Sequence, residues 1–147
     1  MVESDLERYG NAITKMGVIA GSGAYKAEME NFNFILKSEK PMALKKLELA
    51  TMCADAGTPF YKFRYVFSNL ATSLRSAPSI DMSNGAGLDP AKVQRLVEEI
   101  LTLREQTVPD IARKQYTVTV EPKRIVDAQF LRITITQQQN EGQRQRS

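Results

Sequence analysis

Tyr116-Thr117-Val118-Thr119-Val120-Glu121 alternates apolar and polar side chains with a period of two, the pattern of a strand with one face buried. Before about Lys114 the apolar residues instead recur at steps of three and four, the helical spacing. This change of period decides the fold. Beyond it, Pro122-Lys123-Arg124 carries turn residues. Val126, Ala128 and Phe130 then share one phase, and Leu131, Ile133 and Ile135 share the other. The switch predicts a bulge, or a short helix leading into a second strand. Residues 115–136 are thus expected as a β-hairpin extension of the same domain. From Gln137 the chain is polar and glutamine-rich, so 137–147 is expected as a disordered tail.

Working back from Tyr116, five helices are expected. Ser4 and Glu7 form a capping box for the first, with Leu6, Tyr9, Ile13 and Met16 on one face. Three glycines between Gly17 and Gly23 interrupt it. A second helix spans about Ala24 to Lys37 on Met29, Phe32 and Leu36. A third follows Pro41 to about Ala56, with Leu44, Leu47 and Ala54 inward and Gly57 as its cap. Thr58-Pro59 opens a fourth, whose seam is Phe60, Phe63, Phe67, Leu70 and Leu74. Ser76 to Asp89 is expected as a loop, with Pro78, Asn84-Gly85 and Gly87. Asp89-Pro90 then caps a fifth helix, Leu88 can staple onto Val93, and Leu96, Val97, Ile100 and Leu101 complete the apolar face. Pro109 should end that helix or sit just beyond its end. The fold class is α+β, predominantly α: a helical body over 1–114, a C-terminal hairpin and a polar tail.

Composition narrows the chemistry. There is no histidine and one cysteine, which removes Ser–His–Asp and Cys–His catalysis and zinc sites of the Cys/His type. No catalytic residue, cofactor or metal ligand is expected, and the chain reads as no enzyme. Cys53 sits in a half-apolar helical stretch and is expected as a small buried residue. Gly17–Gly23 fits neither the Walker A nor the dinucleotide pattern. Glu28/Glu30 and Glu98/Glu99 are expected on solvated helix faces. No secretory leader or membrane span is visible near the N-terminus or elsewhere, so the expected location is the cytoplasm, or a virion assembled there. Residues 111–147 hold seven basic side chains against three acidic ones, a balance of +4, which leaves −1 for residues 1–110. That asymmetry suits an anionic partner.

Two surfaces are candidates. A two-stranded hairpin is marginal by itself, and no other segment offers it a strand. Tyr116, Val118, Val120, Leu131, Ile133 and Ile135 are therefore assigned to a subunit interface, and the helical body is expected to fold without residues from Tyr116 onward. Phe60–Phe67 holds five of the eleven aromatic residues. Turned outward, Tyr61, Lys62, Arg64 and Tyr65 could stack bases and hold phosphates, joined by Lys123, Arg124, Arg144 and Arg146. Cys53-Ala54-Asp55-Ala56-Gly57-Thr58 resembles a short stretch in the coat proteins of flexuous filamentous plant viruses. The resemblance covers six residues, implies a coat or nucleocapsid role, and carries over no functional residue. The expectation is a non-enzymatic structural subunit of a larger assembly, of viral or phage coat or secretion-machine type. It would be a homo-oligomer or part of a larger complex. The alternative is a small single-stranded nucleic-acid-binding protein.

Overall fold

The computed structural model describes residues 3–71, 78–83, 87–113 and 115–137. Leu74, Asn84, Gly85, Arg144 and Arg146, and the tail from residue 138, lie outside them.

Helix α1 (Asp5–Lys15) opens on the capping box: the Glu7 amide donates to Ser4 Oγ, and the Ser4 amide to Glu7 Oε1, both at 3.1 Å. It closes in a Schellman motif. Gly17 takes φ +109°, its amide donates to the Thr14 carbonyl, and the Val18 amide donates to Ile13. Helix α2 (Gly23–Ser38) is capped by Ser22, and α3 (Lys40–Asp55) follows after Glu39 alone, with Pro41 in its first turn. Gly57, at φ +80°, ends α3 by the same device, the Thr58 amide reaching Cys53 at 2.9 Å. Helix α4 (Phe60–Ala71) then starts beside α1, its Phe60 amide donating to the Met16 carbonyl.

The expected loop after α4 contains a strand. β1 (Ser79–Ser83) buries Ile80 and Met82 and turns Asp81 outward. Helix α5 (Pro90–Glu105) has Asp89 as its N-cap and buries all five expected residues: Val93, Leu96, Val97, Ile100 and Leu101. Pro109 lies beyond the end of that helix, not at it. It opens a single further turn, α6 (Pro109–Arg113), which buries Ile111.

Strands β2 (Tyr116–Ile125) and β3 (Ala128–Gln137) form one long regular hairpin. Its turn is Val126-Asp127, not Pro122-Lys-Arg. Pro122 lies inside β2 opposite Leu131, and no bulge interrupts the register. β2 is an edge strand, the place in a sheet that tolerates proline. β1 pairs antiparallel with β3, giving the order β1-β3-β2. The hairpin is therefore not a two-stranded appendage.

One face of the sheet is core. Ile80, Met82, Val118, Val120, Leu131, Ile133 and Ile135 are all buried, against α5 and α4. The other face carries Thr117, Thr119, Thr134 and Thr136, with Arg132 held bidentate on Asp81 at 2.9 and 3.2 Å. In α3, Met42, Lys46, Leu49, Ala50 and Cys53 set the buried phase. Leu44, expected inward, is instead exposed. Helices α2 and α4 both pack toward α3 but scarcely touch each other, which leaves a groove between them.

Candidate functional site

The groove is formed by two matching helical faces. Along α2, Ala24, Ala27, Glu28 and Asn31 are spaced at three and four residues. Along α4, Phe60, Tyr61, Arg64, Tyr65 and Ser68 do the same. The outer part, between Ala24 and Ala27 on one wall and Phe60, Tyr61 and Tyr65 on the other, is a cavity of about 480 Å³ with a mostly apolar lining. A smaller inner cavity of about 270 Å³ continues past Glu28 and Arg64 to Lys46 and Phe67.

A buried charge cluster forms the floor. Lys46 is only 4% exposed. Its ammonium lies 3.7 Å from Glu28 Oε2 and above the rings of Phe67 and Tyr9, at 4.7 and 5.4 Å from their centroids. Tyr9 stacks on Phe32 at 4.2 Å and donates its hydroxyl to Glu28 Oε2 at 2.8 Å. Burial lowers the Lys46 pKa, partly offset by the Glu28 charge, and burial together with that charge raises the Tyr9 phenol. Two aromatic faces and one carboxylate thus replace the water that a buried ammonium loses. Glu28 is correspondingly not the solvated residue expected from sequence. Glu30 is exposed as expected, and Glu99 pairs with Lys45 at 2.9 Å.

Of the basic–aromatic set, Tyr61, Arg64 and Tyr65 come together at the groove. Tyr61 and Tyr65 are 67% and 55% exposed, and the Arg64 side chain 70%. Arg64 reaches Glu28 only at 3.9 Å. Lys62 lies over the Tyr61 ring at 5.8 Å from its centroid and donates to the Asp81 carbonyl of β1 at 3.2 Å. Lys123 and Arg124 sit on the hairpin, with Lys123 3.8 Å from Glu121. Two of the basic residues counted toward the C-terminal excess, Arg132 and Lys123, are thus paired within the sheet.

The interface assignment is corrected. Val118, Val120, Leu131, Ile133 and Ile135 are buried in the chain's own core, and Tyr116 is half-buried. What projects instead is the far half of the hairpin, where every residue from Glu121 to Gln129 is exposed except half-buried Lys123. Alternation puts Ile125, Ala128 and Phe130 on one side of this arm, with Val126 at its tip. Ile125 is 59% and Val126 86% exposed. Neither the buried cluster nor the tip was singled out from sequence. The tip was hidden by the misplaced turn. The one local signal for Lys46 is its place on the core phase of α3.

Cys53 is fully buried, as expected for a small packing residue, and burial pushes its thiol up to about 12. Among the described residues no group of three or more cysteines and carboxylates could hold a metal ion, and no helix is long and apolar enough to cross a membrane. No family model matches the chain, and neither a curated protein nor a solved structure matches it.

Proposed function

We propose that the chain is a non-enzymatic structural subunit of a larger assembly, of the coat or secretion-machine kind, whose copies are joined through the β2–β3 arm. The observation that carries this reading is the arm's tip. Val126 adopts φ +55°, a region that glycine or asparagine occupies readily and a β-branched residue does not. Such a conformation costs on the order of 1–3 kcal/mol. The strained residue is apolar, next to exposed Ile125, on a loop where a polar Asn-Gly would serve a monomer better. Burial against another molecule accounts for both features. Strand addition along β2 suits the arm less well, because Pro122 and the charged Glu121, Lys123 and Arg124 guard its outer half.

A second reading, single-stranded nucleic-acid binding, is favoured by Tyr61, Arg64 and Tyr65 lying exposed on one face of α4. Sedimentation velocity over a concentration series, with and without a single-stranded RNA oligonucleotide, separates the two. The intact chain should self-associate without RNA. The Ile125→Asp/Val126→Asp variant should stay monomeric with a melting temperature no lower than the intact chain's, since Asp tolerates the tip conformation better than Val. A monodisperse monomer at every concentration would overturn the first reading. Association that needs RNA and collapses with added salt would install the second.

A further inference from the structure

We infer that the α2–α4 groove receives the hairpin tip of a second copy, so that subunits join head to tail; this rests on the self-assembly reading above. The two surfaces complement each other in shape and charge. The tip offers an apolar pair, Ile125 and Val126, followed by the carboxylate of Asp127. The groove offers an apolar recess whose α2 wall is set back by Ala24 and Ala27, with the Arg64 guanidinium at its side. Arg64 is poorly satisfied at home: its 3.9 Å contact is to a carboxylate that already accepts from Tyr9 at 2.8 Å. Asp127 makes no ion pair among the described residues. Each therefore brings a charge that the other can pair in a bidentate geometry.

The insertion is intermolecular. The sheet packs on α5 and on the side of α4 where Lys62 meets β1, and no strand packs on α2 among the described residues. Tip and groove are thus different patches on different faces of one chain. Unless two copies exchange tips reciprocally, a contact between different patches does not close on itself. It propagates into a ring or an open filament.

This geometry makes a prediction that an interface pairing one patch with its own copy does not. The tip-dead variant Ile125→Asp/Val126→Asp keeps an intact groove. A groove-filled variant, Ala27→Trp, keeps an intact tip, and because Ala27 is exposed its fold should survive. Tyr61→Ser provides a second groove variant. Each alone should be monomeric by light scattering, and an equimolar mixture of tip-dead and groove-filled chains should give a 1:1 dimer and nothing larger. Arg64→Asp and Asp127→Arg should each weaken association by at least about tenfold, and the double variant should recover it. If both groove variants assemble like the intact chain while the tip-dead one does not, the arm docks elsewhere and this inference falls while the proposed function stands. If the tip-dead variant also assembles normally, both fall. If the groove variants assemble but lose binding to a single-stranded RNA oligonucleotide, the groove is a nucleic-acid site and the inference is overturned.

Discussion

Cys53 and Lys46 lie two turns apart on the same buried face of α3, and burial shifts their titration in opposite directions. In the unfolded chain the thiol ionises near 9.0, whereas in the native chain it does so only near 12. The unfolded state therefore loses that proton first, and stability falls as pH rises from 9 to 12, by about 1.4 kcal/mol per pH unit inside the window. Tyr9 acts in the same sense above its ordinary 10.0. Lys46 opposes both, since its lowered native pKa makes stability rise with pH until the ordinary 10.5 is passed. Cys53→Ala should flatten the alkaline decline in urea midpoints between pH 8 and 10.5, and an unchanged slope would show that the thiol stays protonated in neither state or both. Cys53 was legible in the sequence as a small residue in an apolar helical run. The cluster around Lys46 was not, because its partners Tyr9, Glu28 and Phe67 come from three other helices and no local pattern announces them.

Helix α4 shows how far periodicity carries an element. Phe63, Phe67 and Leu70 are buried and Tyr61 and Tyr65 exposed, as their spacing requires. Phe67→Ala should cost roughly 3–5 kcal/mol by emptying a packed site, whereas Tyr61→Ala should stay within about 0.5 kcal/mol. Thermal melts showing equal losses would mean that Tyr61 packs as Phe67 does. Helix α5 was equally legible because its signals, Asp89-Pro90 and the apolar stripe, are local. The strands were less so. Ser79-Ile80-Asp81-Met82-Ser83 alternates over only five residues between turn-forming segments, and what makes it a strand is β3, some fifty residues away. The turn lies elsewhere for a related reason: Pro122-Lys-Arg carries the stronger punctuation, while Val126-Asp127 offers only Asp127 behind a β-branched residue.

For the molecule as a whole, β1 changes what a truncation means. The sequence alone suggested a helical body able to stand without residues from Tyr116 onward. The sheet instead supplies Val118, Val120, Leu131, Ile133 and Ile135 to the common core and covers Ile80 and Met82. Deleting residues from Tyr116 onward should therefore abolish the cooperative thermal transition seen by circular dichroism. Replacing residues 123–130 with Asn-Gly, which closes the hairpin at the Pro122–Leu131 pair, should retain it and remove only the arm. A truncated body that still melts cooperatively would show that the sheet is dispensable. The central position of β3 also orders events in time. It is the last of the three described strands to be synthesised, yet both β1 and β2 need it as their neighbour. Until it arrives, β2 has no neighbour to hold it against α5, and the β1–β3 pairing must close a long intervening segment, a slow step for any chain. The same strand completes the projecting arm. In the assembly proposed above, a half-made subunit would have no means of joining its neighbours, and only finished copies would enter the growing structure.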